Sequence, residues 1–158
     1  MYAITVLMVS INVIGIRCGR PFSDIVEHFR ELGGDVILLN SEFVCGKDHI
    51  LSAFMHAERA FAYGTNRSKT LLTETILYAA GERQISKALA KMRPSGESIV
   101  AAVLDVDDPR LGDIDATEDD DLLKCTKEKL KNLGLNVLGK NYGGAVLEMV
   151  AAVDIQKQ

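Results

Sequence analysis

A single domain of mixed α+β type, an α/β arrangement with a central mixed β-sheet covered by amphipathic helices, is the fold this sequence predicts. Three observations lead there. The chain has 158 residues, 47% hydrophobic and 25% charged, a length and balance that suit one buried core over residues 1–158. Short apolar, often β-branched runs stand near the beginning, in the middle and at the end of the chain, and read as strands. Between them apolar residues recur every three or four positions, the period of a helix with one buried face.

The elements follow in order. Residues 4–9 and 12–17 make two short strands or one bent one. After Pro21, the spacing of Phe22, Ile25, Val26, Phe29 and Leu32 predicts an amphipathic helix, which Gly33 and Gly34 stop. "DVILLN" is a buried strand. A second helix starts near Asp48, a plausible N-cap, with Ile50, Phe54, Ala57 and Phe61 on one face, and ends at Gly64. Beyond the polar loop "GTNRS", a third helix over about 69–80 buries Leu72, Ile76 and Ala79, with Gly81 as its C-cap. Ile85, Ala88, Leu89 and Met92 mark a fourth, which stops before Pro94. "ESIVAAVLDV" is a strand, and "DDPRLGDIDATEDDD" is an acidic loop leading to a helix, "LLKCTKEKLKNLG", whose lysines complement its dipole. The tail "GGAVLEMVAAVDIQKQ" reads as a short helix followed by a last strand.

Composition and motifs exclude several function classes. A net charge of -4 and a pI near 5.4 argue against a surface that coats nucleic acid. No stretch approaches the length of a membrane span, and the apolar start lacks a basic n-region and carries Ser10 and Asn12, so a soluble, cytoplasmic protein is expected. Cys18, Cys45 and Cys125 are odd in number and far apart, without a CxxC pair, so reduced thiols are expected rather than a disulfide framework or a zinc site. His28, His49 and His56 form no HExxH pattern and read as surface or boundary residues. The acidic run 113–121 lacks the ligand spacing of a calcium loop and reads as solvated charge. "GLNVLGKN", 134–141, satisfies a phosphate-binding loop up to its lysine, but Asn141 stands where Ser or Thr is needed, and a lysine-rich helix precedes it instead of a strand. A helix C-cap and connector is expected there. With no GxSxG elbow and no cysteine nucleophile motif, no catalytic residue, cofactor or metal is expected, and the protein does not read as an enzyme.

One segment stands apart. Between Arg59 and Arg93 lie seven basic residues (Arg59, Arg67, Lys69, Arg83, Lys87, Lys91, Arg93) and two acidic ones (Glu74, Glu82), a local +5 that leaves -9 for the rest. An acidic chain with one basic segment is suited to meet an anion at one place. In "LLTETILYAAGERQI", a new helix begins directly after Gly81. Its unpaired N–H groups form an anion site to which Arg83 and Gln84 add side-chain donors, while glycine permits close approach of backbone. The other reading of the same residues is structural: Arg83 and Gln84 satisfy the carbonyls that end the preceding helix, or pair with Glu74.

The run from "HILSAFMHAERAFAYG" through "RSKTLLTETILYAAGERQISKALAKM", about 48–92, resembles the small KEOPS-complex subunit family that includes the PRPK-binding protein TPRKB and its archaeal counterparts; the glycine, arginine, glutamine, isoleucine run is of the archaeal type. The resemblance implies a non-catalytic subunit of the complex that makes threonylcarbamoyladenosine next to the anticodon of tRNA. Such a subunit binds and activates the PRPK-type kinase/ATPase, holds the single-stranded CCA end of tRNA, and through the kinase is linked indirectly to the threonylcarbamoyl transferase subunit. The family motif falls on Gly81, Arg83, Gln84 and Ile85, and Arg67 and Lys69 match basic positions before the third helix. On this reading Arg83 and Gln84 supply polar contacts, Ile85 an apolar wall, and Arg67, Lys69, Lys87 and Lys91 steer the tRNA backbone. The acidic loop 107–121 would repel tRNA and is expected on another face. For the kinase, an apolar surface near Leu130, Leu138 or Val146 is expected, although each of these also suits the core. Two other functions fit less of the sequence: a small phosphate- or nucleotide-binding enzyme using the helix start at 81–85, and a protein–protein adaptor in which Arg83 and Gln84 are caps.

Overall fold

The computed structural model describes residues 9–156. Among these residues four strands, β1 (Ile11–Arg17), β2 (Asp35–Asn40), β3 (Ser98–Leu104) and β4 (Thr117–Glu118), form one sheet in the order β2-β3-β1-β4. The α+β domain is therefore as predicted. Every described pairing is antiparallel, where the alternation of strands and helices had suggested a mixed sheet. The reason is topological. A helix, α1 (Phe22–Glu31), carries the chain from β1 to β2, two strands that run the same way but leave one strand's width between them, and β3 fills that gap antiparallel to both.

Side chains alternate across these strands. Val13, Ile37, Leu39, Val100 and Ala102 face a core closed by α2 (Lys47–Tyr63), α3 (Leu71–Ala80), α4 (Ile85–Met92) and α6 (Tyr142–Gln156). Ile14, Ile16, Val36, Ile99, Ala101 and Val103 face the other side, covered by Ile25 and Phe29 of α1 and by Val106, Ile114 and Ala116. The acidic segment around Ile114 and Ala116 thus packs on the α1 face; it then pairs as β4 with the edge of β1, and Asp119 and Leu122 cross over Gly15 to bring Leu123 into the core on the other face. A third, smaller cluster of Cys45, Leu130, Leu133 and Val146 lies under α5 (Lys127–Asn132).

Several boundaries differ from the sequence reading. As far as residue 156 the tail is one 15-residue helix, α6, with no strand among the described residues: Val146, Val150 and Val153 recur at four and three residues and are all buried. The helix begun at "LLKC" shortens to α5, because Leu123 is buried in a preceding 3-10 turn and Thr126 caps the helix by accepting from the Lys129 N–H. α2 is preceded by Gly46 as N-cap, with Asp48 inside its first turn. The "GLNVLGKN" segment leaves α5 and enters α6, so it follows a helix and lacks the strand that a phosphate-binding loop requires. The strand expected at residues 4–9 lies outside the described residues.

The cysteines correct a further expectation. Cys45 and Cys125 are joined in a disulfide with Cα atoms 4.2 Å apart, across 80 residues of sequence; only Cys18 is a free, buried thiol. Spacing along the chain carries no trace of a pairing made by the fold.

Two of the histidines expected at the surface or its boundary are buried. His28 Nε2 lies 2.7 Å from the Pro109 carbonyl and ties the acidic loop to α1. His49 accepts from the Cys45 N–H at Nδ1 (3.0 Å), which leaves the proton on Nε2 to donate to the Ala79 carbonyl (2.8 Å). Burial pushes its pKa down to about 4 from the usual 6.5. A pH dependence follows. Between 6.5 and about 4 the unfolded histidine takes up a proton and the native one does not, so stability present above 6.5 is lost as pH falls through this window. The loss is about 3 kcal/mol. Urea unfolding of the protein and of His49→Gln at pH 7 and pH 4 should show that much less pH sensitivity in the variant, the carboxylates being common to both.

Candidate functional site

The bend between α3 and α4 is set by backbone chemistry. Thr70 caps α3 by accepting from the Thr73 N–H. At the other end Gly81 adopts a left-handed conformation (φ 67°); its N–H bonds to the Tyr78 carbonyl and that of Glu82 to Leu77, the Schellman arrangement that ends a helix. A β-carbon on Gly81 would lie 2.6 Å from Cγ of Met149 on α6. The close approach that this glycine permits is therefore with α6.

Four residues later α4 begins. Gln84 occupies its N-cap position but its side chain accepts no bond from the first turn, so that turn's N–H groups and the positive end of the helix stay open to an outside acceptor. Arg83, Gln84, Ile85 and Ser86 line an open groove of about 480 Å³, and Arg67 closes it from the loop before α3. Arg83 and Gln84 are exposed, and neither side chain hydrogen-bonds within the described residues. The groups they would have satisfied as caps are already engaged. The last turn of α3 is closed by Gly81, Glu82 and the Lys91 ammonium, which donates to the Ala80 carbonyl (3.0 Å), and Glu74 is occupied by other partners.

Glu74, suggested by the sequence only as a partner for Arg83 or Gln84, has other partners. It is fully buried, and its carboxylate accepts from the Arg67 N–H (3.0 and 3.2 Å) and the Ser68 N–H (2.9 Å). It thereby holds the loop that brings Arg67 to the groove. The available signal was a carboxylate among the apolar residues of "LLTETILYAA", where a buried charge needs dedicated donors. A second network also went unread: His56 Nδ1 lies 2.9 Å from Asp154 Oδ2, and the Tyr78 hydroxyl donates to the other oxygen. It fastens α2, α3 and α6 together, and burial, reinforced by Asp154, holds the Tyr78 phenol well above its usual range.

The remaining basic residues do not converge. Lys69 and Lys87 are exposed but do not line the groove. Lys91 is turned away, paired with Glu82 at 2.8 Å. Among the described residues no group of three or more His, Cys, Asp and Glu could hold a metal ion, and no helix is long and apolar enough to cross a membrane.

The family model for the kinase binding protein CGI-121 matches residues 23–143. The chain belongs to this family. No curated protein matches it. The CGI-121 match runs from α1 to the start of α6 and contains the whole groove, Glu74 and α5.

A kinase-binding protein needs an exposed surface for its partner, and two of the three positions suggested for it are not exposed. Leu130 and Val146 are 2% and 1% exposed inside the cluster under α5, because the helices they belong to turn them onto Cys45. Leu138 is 98% exposed. A more continuous apolar surface lies on α6, whose Leu147 (39% exposed), Ala151 and Ile155 (72%) follow at four-residue steps.

Proposed function

We propose that this CGI-121 family protein is a non-catalytic KEOPS subunit, cytoplasmic and of the archaeal type, that grips the CCA end of tRNA and binds and activates the PRPK-type kinase/ATPase subunit. In this role it supports threonylcarbamoyladenosine modification next to the anticodon, with the transferase subunit as an indirect partner. The observation that carries the tRNA reading is the groove in which Arg83, Gln84 and Arg67 meet at a helix start with no side-chain cap. A single-stranded end presents phosphates and unstacked bases together. The helix start and arginines suit the former, Gln84 a base edge, and Ile85 an apolar surface beneath a base. An enzyme at the same place is less well supported, since no carboxylate, histidine or cysteine lines the groove.

The test is binding of the purified chain to intact tRNA and to the same tRNA without its CCA end, at one fixed moderate salt concentration. A clear loss with the trimmed tRNA is expected. Equal binding to both, or to neither, would return the groove to a purely structural role.

For the kinase, the reading favours the apolar stripe of α6, since partner surfaces are apolar with a polar rim. Ile155→Glu places a charge on this stripe without touching the groove. It should weaken kinase binding at least tenfold in a titration with the purified kinase and leave tRNA affinity unchanged; undiminished kinase binding would move the interface elsewhere.

A further inference from the structure

The disulfide lies on a seam held by other links as well. Beside it, Lys129 Nζ donates to the carbonyls of Val44 (2.8 Å) and Leu122 (2.5 Å), and Asn132 Nδ2 donates to the backbone carbonyl of Glu42 (3.0 Å). The bonds to Val44 and Glu42 connect the same two segments, 42–45 and 122–132, without the sulfurs, and the bond to Leu122 braces the second segment on itself. The two cysteines differ in access. Cys45 is 5% exposed, whereas Cys125 is only partly buried. They differ in chemistry too. Cys45 stands immediately before the N-cap of the 17-residue α2, where no side chain caps the first turn, and the positive end of a helix stabilises a thiolate; Lys47 and Asp48 in that turn offset one another in charge. The Cys45 N–H is held by His49, which fixes its backbone independently of the sulfur.

We propose that Cys45–Cys125 is a reversible thiol–disulfide couple, opened by a small thiol that attacks Cys125 and expels Cys45. The attacking thiolate forms a bond to Cys125 Sγ while the Sγ–Sγ bond breaks, and its electron pair leaves on Cys45 as thiolate. A second thiolate attacks the incoming sulfur and releases Cys125. Two protons from the reductant end on the protein thiols, and the reductant becomes its own disulfide. The reaction is set by access at one sulfur and leaving ability at the other. The Lys129 and Asn132 links keep the seam closed afterwards, so the thiols remain facing and re-form the bond when an oxidised thiol is supplied. This inference stands apart from the tRNA reading.

The experiment uses the full chain purified without reductant. Unfolded and alkylated directly, it should be labelled at Cys18 alone. Under native conditions dithiothreitol should free Cys45 and Cys125 within minutes and lower the Tm by roughly 10 °C, as expected for opening so long a loop, and oxidised glutathione should restore both. Reduced glutathione with an acid quench should leave its mixed disulfide on Cys125 at least tenfold over Cys45 by peptide mass spectrometry. Labelling of all three cysteines in the presence of oxidised glutathione, reduction only in denaturant, or glutathione trapped mainly on Cys45 would each overturn the proposal.

Discussion

Replacing Arg83 by glutamate should lower tRNA affinity by roughly ten- to a hundredfold, the effect of losing one directed arginine contact, about 1–3 kcal/mol, together with the repulsion added by the new charge. The folded protein should hardly notice. Arg83 is exposed and its guanidinium hydrogen-bonds to nothing within the described residues, so the change in stability should stay within about 0.5 kcal/mol, as for surface positions generally. This separation makes the experiment informative, because an affinity loss with an unchanged Tm cannot be blamed on unfolding. Arg83→Gln adds a second readout. If the guanidinium neutralises a phosphate, the slope of log affinity against log salt should shrink by about one. Affinity unchanged in Arg83→Glu would sink the groove as the tRNA site.

Glu74→Ala should cost about 3 kcal/mol of stability, the size of effect seen when one partner of a buried, charge-assisted hydrogen-bond set is removed. The variant strands the N–H groups of Arg67 and Ser68, and Ser68 is itself buried. For a domain of this size the Tm should fall by roughly 6–12 °C. Affinity for tRNA, measured at a temperature where the variant remains folded, should also drop, because the loop that brings Arg67 to the groove has lost its anchor. Glu74→Gln keeps one acceptor oxygen and should fall between the two. Wild-type stability in Glu74→Ala would mean that the carboxylate does not hold the loop.

Sequence reading worked where the controlling physics is local. Helical periods and the left-handed glycines at Gly64 and Gly81 located α2, α3 and α4, and the β-branched runs located β1, β2 and β3, since periodicity and steric permission act within a few residues. It failed where a distant partner decides. Nothing near Cys45 announces Cys125, and nothing near Thr117 announces pairing with Arg17. The valines of α6 favour a strand by propensity, and only packing onto α2 selects the helix. At the site, the cluster of polar residues after Gly81 was legible because a cation beside a helix start has a definite electrostatic meaning. Lys91 was not, for a count of charges does not reveal that its ammonium is already held by Glu82 and Ala80. Leu130 and Val146 show the same limit: an apolar helix face is visible in sequence, but whether a neighbour already covers it is not.

The position of β3 between β1 and β2 also governs the order in which this protein can be made. As the chain leaves the ribosome, β1 and β2 emerge with an empty place between them, and α2, α3 and α4 follow before the sheet surface they cover exists. Only when residues 98–104 appear do the described strands on either side find a neighbour, through pairings such as Val13 with Ala102 and Ile37 with Ala102. Closing the sheet thus waits on contacts distant in sequence, which makes folding slow compared with that of a helical bundle. A nascent chain stalled before residue 98 would expose two unpaired strands and several apolar helix faces at once, the kind of surface that chaperones cover.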